Sequence, residues 1–131
     1  MKVDRVLRCP RLHVAILIAL SILCSCERLA GPESREIGGG YRLKRVHGSN
    51  AFALIIPNQS GGMIVDEIGW RNPVIIARGS GSQYWEVINT AHAEHTRVSD
   101  EKRKSDQEYS SIEVKPTAEA WKTLNPDTGV W

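Results

Sequence analysis

Short connections constrain this chain more than any other feature. From Tyr41 to Thr90, apolar runs alternate with clusters of turn residues: Gly48-Ser49-Asn50, Pro57 to Gly62, Gly69 to Pro73 and Gly79-Ser80-Gly81-Ser82. Joining parallel strands takes a crossover of a dozen or more residues, and none of these segments is long enough. The pattern therefore predicts a small antiparallel β-meander of about five strands, at 41–47, 51–56, 63–68, 74–78 and 83–90. Ala51 to Ile56 is apolar on both alternating faces, as expected of a central strand or one lying beneath a helix. Gly69-Trp70-Arg71-Asn72-Pro73 reads as a tight turn that exposes Trp70. Residues 91–111 are almost wholly polar and read as a solvated loop or a short surface helix. Ile112 to Val114 is a further short strand by this reading. Thr117 is a candidate N-cap for a helix over 118–124 with Ala118, Trp121 and Leu124 on its apolar stripe. The expected class is mainly β (α+β): a meander with a short C-terminal helix, preceded by a signal peptide.

The first twenty-five residues differ in kind. Lys2, Arg5, Arg8 and Arg11 precede an apolar run from Val14 to Leu23, which is the layout of a secretory signal. Spanning a bilayer takes about 20 apolar residues; this run is shorter, and His13 interrupts its start. Taking four basic residues and Asp4 from totals of 17 and 15 leaves 13 basic and 14 acidic residues. A chain so balanced carries no overall basic footprint, so nucleic acid is not an expected partner.

Leu23-Cys24-Ser25-Cys26, placed at the end of that run, resembles a bacterial lipobox. The resemblance implies cleavage before Cys26 and a lipid on its sulfur. It divides the chain into a lipoprotein signal peptide (1–25), a lipidated Cys26 with a flexible tether (26–40) and a small β-rich domain (41–131). The membrane, reached through the lipid on Cys26, is the implied partner, together with a possible envelope protein. Glu27 stands where Asp favours inner-membrane retention in two-membraned bacteria, so the outer membrane facing the periplasm is favoured there. An uncleaved membrane anchor, and ordinary signal cleavage near Ser25 with a free thiol, are the alternatives. The chain's three cysteines are Cys9, Cys24 and Cys26. Under the lipobox reading the mature domain has neither thiol nor disulfide.

Gly39-Gly40-Tyr41, Ile68-Gly69-Trp70, Ile75-Ile76-Ala77 and Tyr84-Trp85 together resemble a group of small bacterial β-meander lipoproteins of no assigned activity. The likeness implies address and fold class, and no chemistry.

Motifs for chemistry are weak. His92-Ala93-Glu94-His95 suggests zinc, but its histidines are three apart instead of four, and no third ligand stands at a standard interval. A polar loop is the preferred reading, with no metal and no cofactor assigned. Ser80 and Ser82 beside glycines lack the Gly-x-Ser-x-Gly spacing of a nucleophile elbow. Asp66 and Glu67, adjacent on a strand, would point to opposite faces. A non-enzymatic binding or structural domain is therefore expected. In a chain with 6% aromatics, Trp70, Tyr84 and Trp85 are the candidate partner-binding residues, with at least one of the Tyr84-Trp85 strand pair expected in the core and Trp70 expected to be the exposed one. Ser80-Gly81-Ser82-Gln83-Tyr84 also resembles a stretch of membrane-bound lysozyme inhibitors, although the Trp-x-Lys-Gly and the cysteines of that family are absent. This supplies the alternative function: an inhibitor or immunity-type protein acting on a secreted enzyme.

Overall fold

Gly39 and Gly40 both adopt positive φ, at 61° and 82°, and fold the chain back on itself between two strands. L-residues with a Cβ rarely take this conformation, which is why two-residue hairpin turns favour glycine. The computed structural model describes residues 34–47, 49–126 and 129–131. The apolar run, the lipobox and residues 27–33 lie outside the described residues. Among those described, no helix is long and apolar enough to cross a membrane.

The chain is mainly β, as expected, but its strands form two antiparallel sheets. Sheet A has the order β1 (Ser34–Gly38), β2 (Tyr41–Arg45), β3 (Phe52–Ile55), β4 (Gly62–Val65). Sheet B comprises β5 (Glu67–Arg71), β6 (Val74–Arg78), β7 (Tyr84–Asn89), β8 (Glu94–Ser99) and β9 (Lys115–Pro116), ordered β8-β7-β6-β5-β9. Among the described residues three short helices complete the set: α1 (Asp100–Ser105), α2 (Gln107–Ser110) and α3 (Thr117–Thr123).

The strand expected over 63–68 is two strands. The chain bends at Asp66 and passes from sheet A to sheet B, a common way of making a corner between packed sheets. Thr117 holds this corner. Its amide donates to the Asp66 carbonyl at 2.8 Å, and its hydroxyl donates to the Val65 carbonyl at 3.0 Å. Thr117 is thus the first residue of α3 and a buried polar anchor, while Pro116 occupies the N-cap position. On the helical stripe Leu124 is buried and Trp121 packs against the core as expected, but Ala120 is buried in place of Ala118, which is exposed.

The tether reading of 26–40 fails from Ser34 onward, because Ser34–Gly38 is a strand paired with β2. Polar residues mislead here. Arg35 Nη1 donates to the carbonyls of Trp121 and Leu124 at 2.9 and 3.0 Å, satisfying the C-terminus of α3, and its guanidinium lies 4.4 Å from the centre of the Trp121 ring. Ile37 from the same strand is fully buried. The 91–111 expectation is likewise half right. Glu94–Ser99 is an edge strand, with α1 and α2 after it. Ile112–Val114 is not a strand; β9 follows it.

Two cores result. Leu43, Phe52, Leu54 and Val65 from sheet A meet Ile68, Ile75, Ala77 and Ile88 from sheet B, with Ala120 and Leu124 closing one side. On the opposite face of sheet B, Val74, Ile76, Trp85, Val87 and Val98 pack with Ile112, and with Tyr109 from α2. Strand β6 therefore contributes to both cores, which explains the unbroken apolar run of Val74 to Ala77.

Candidate functional site

Alternation along β7 separates the two aromatics of the Tyr84-Trp85 pair. Tyr84 is 50% exposed, whereas Trp85 is 2% exposed. Trp85 projects into the second core, and its indole N–H donates to Asp100 Oδ1 at 2.9 Å. The guanidinium carbons of Arg78 and Arg103 lie 4.5 and 4.7 Å from its ring centre. Cations at this range of an indole are attracted by the ring quadrupole. Glu67 fixes Arg78 across the β5–β6 pair through Nε at 2.8 Å. Lys104 and the Trp85 indole hydrogen-bond to Asp100 and hold its carboxyl below the usual carboxylate range. Trp85 is therefore enclosed on every polar side by its own chain. It is the core member expected of the Tyr84-Trp85 pair, and it cannot serve as an exposed partner-binding residue.

Trp70 is not in a turn. It lies within β5, which continues to Arg71; the turn is only Asn72-Pro73, joined by a cis peptide bond. Its ring is half-buried against the inter-sheet core. Beside it, where β9 pairs only with Glu67 and Ile68, a cleft of about 200 Å³ opens. Ile68, Trp70 and Ala120 supply its apolar wall, while Thr123 and the Glu113–Lys115 ion pair at 3.4 Å stand at its polar side. Sites for drug-sized ligands run to about 300–1,000 Å³. This cleft is smaller, and its size suits one inserted side chain. Tyr84 and Trp70 do not converge: Trp70 pairs across the ladder with Ile75, and Ile75 with Ile88, four residues along β7 from Tyr84.

The His92–His95 cluster does not assemble into one site. His92 is in the β7–β8 turn and exposed, next to Ala93 at φ 51°. His95 lies on β8, with Nε2 3.4 Å from the Tyr41 hydroxyl. Burial raises the Tyr41 phenol above its usual range. Among the described residues, no group of three or more His, Cys, Asp and Glu is placed to hold a metal ion. Ser80 and Ser82 sit in the β6–β7 turn, where the Ser82 amide donates to the Gly79 carbonyl.

A second recess went unread in the sequence. It is a groove of about 530 Å³ on the outer face of sheet A, floored by Ile55 and Gly62 and rimmed by Arg42, Lys44 and His47. The signal was present in Tyr41-Arg42-Leu43-Lys44, whose period of two puts both cations on the solvent face.

Trp70→Ala is expected to leave the chain folded, with a loss below that of a core Trp because its ring is only half-buried. It should empty the apolar wall of the cleft. Pull-down of envelope proteins with wild type and with the folded variant checks the site. Identical recovery removes Trp70 from it.

Against known protein families, curated proteins and solved structures, the chain finds no match.

Proposed function

We propose that this chain is an envelope lipoprotein, anchored by a lipid on Cys26, whose β-rich domain is a non-enzymatic binding or structural module. The observation that carries the reading is Leu23-Cys24-Ser25-Cys26 directly after the apolar run. The position of the domain supports it. All three cysteines precede Ser34, so acylating Cys26 takes no thiol from the described fold. Several acyl chains on one residue make a firm anchor, where a single chain binds only marginally. The Trp70 cleft, sized for a side chain, is the binding element assigned to the domain, with an envelope protein as its partner. Glu27 favours the outer membrane where the cell has two.

Cys26→Ser tests the anchor. The variant should leave the membrane fraction for the soluble fraction, or accumulate with residues 1–25 uncut. A Cys26→Ser protein that stays with membranes, cut and resistant to salt extraction, contradicts the reading.

A further inference from the structure

The cations of sheet A are gathered around the place where the described chain begins. Arg42 and Lys44 face outward from β2, while the alternating Tyr41 and Leu43 are buried. The groove that Arg42 and Lys44 border has no carboxylate in its lining. Among the described residues, the one acid paired with Arg42 and Lys44 is Glu36, 3.8 Å from Arg42. Lys44 makes no ion pair among the described residues. Two strands away, Ile64 is 47% exposed; it pairs in register with Ala53, which itself pairs with Lys44. Gly62 adds no side chain to the floor, and the Ile55 side chain lies over it. The face therefore combines an apolar floor, an exposed isoleucine and a cationic rim.

Ser34 closes one end of this groove. It pairs in register with Lys44, and its hydroxyl accepts from Arg42 Nε at 3.1 Å. Residues 27–33 join it to Cys26. From Cys26 to Ser34 is eight steps of at most about 3.6 Å, so the stretch reaches no further than about 29 Å. A compact domain of about 100 residues has a radius of gyration near 13 Å, which for a sphere is a diameter of about 34 Å, so it is wider than the tether is long. The tether therefore holds the face around Ser34 nearer to the bilayer than α1 and α2. Screening limits attraction between charges to about 8 Å at physiological salt, so cations help only on a face already held close.

Resting on the Cys26 anchor, we infer that the outer face of sheet A docks on the membrane surface itself. Arg42 and Lys44 lie against anionic lipid headgroups, with Ile64 at the headgroup boundary. Basic side chains near an anionic leaflet each add to such binding. The Trp70 cleft belongs to sheet B and α3 and has no part in this contact.

Lysine footprinting of the full lipidated protein tests this. The protein is inserted into preformed vesicles of phosphatidylcholine alone, or with phosphatidylglycerol, then acetylated by a water-soluble reagent and read by peptide mass. Acetylation of Lys44 should fall about fivefold in the anionic vesicles, while Lys122 on α3 reacts equally in both. Arg42→Glu should restore Lys44 reactivity. Equal Lys44 rates in the two vesicles overturn the docking. So does protection in native membranes but not in anionic vesicles, since a protein then covers the face. Intact mass of the same sample separates the two readings. An unacylated chain contradicts the anchor, and an acylated chain with unprotected Lys44 contradicts the docking alone.

Discussion

Trp85→Ala should lower stability by about 3–5 kcal/mol, the usual cost of truncating a buried Trp to Ala. A domain of this size has only about 5–15 kcal/mol to lose. The melting temperature should fall by more than about 10 °C, and part of the chain should be unfolded at 37 °C. The reason is the position of the ring. It lies at the centre of the second core with Val87 and Val98, with Arg78 and Arg103 against it and Asp100 on its N–H. Truncation leaves a cavity and removes the surface that orders both guanidiniums. Arg103 feels this most, because its Nε is buried without a hydrogen-bond partner. Trp85→Phe should cost less, since it keeps most of the volume and loses the N–H. Thermal unfolding by circular dichroism checks both variants. A Trp85→Ala protein melting within two or three degrees of wild type would mean that the second core is not as described.

Gly69→Ala should cost about 1–3 kcal/mol or more, although it adds a single methyl. Gly69 lies within β5, and the segment running from α2 to β9 crosses directly over it. A Cβ there would overlap the Glu113 carbonyl oxygen and stand 3.1 Å from Ile112 Cγ2. Neither neighbour is the free end of a flexible chain. Ile112 is buried in the second core, and Glu113 is held between it and β9, so the backbone must move. Gly81 provides the control. Its Cβ would meet nothing within 4 Å, and its φ of 69° leaves conformational strain as the main cost of Gly81→Ala. Denaturant unfolding should therefore rank Gly69→Ala as the more damaging. The reverse order would contradict the crossing at Glu113.

Gly69 also shows why part of the fold was hard to read. Beside Trp70 and before Asn72-Pro73, it looks like turn punctuation. A glycine inside a strand equally marks a close approach of another backbone, and one sequence cannot distinguish the two. Strands β2, β3, β6 and β7 were legible because turn residues bound them on both sides. Strand β1 was not, because Ser34, Arg35 and Glu36 are polar and a Gly-rich run follows. Their roles lie far along the chain: Arg35 answers carbonyls at the end of α3. Strand β8 was masked for a related reason. It is an edge strand whose residues from Glu94 to Arg97 are exposed, leaving Val98 as the buried one.

The candidate site was legible only in its residue types. Trp70, Tyr84 and Trp85 stand out as aromatics, but their fates depend on strand parity and on which sheet covers each face. Trp85 is core, Tyr84 is exposed alone, and Trp70 forms a cleft with residues from β9 and α3 that lie more than forty positions away. Local pattern contains none of those distant partners.

Intact-mass spectrometry of the protein purified from membranes tests the central claim most directly. The account predicts a chain beginning at Cys26, lacking residues 1–25 and heavier than the bare polypeptide by its acyl groups. A chain that retains residues 1–25, or one that begins at Cys26 with no acyl mass, would contradict it.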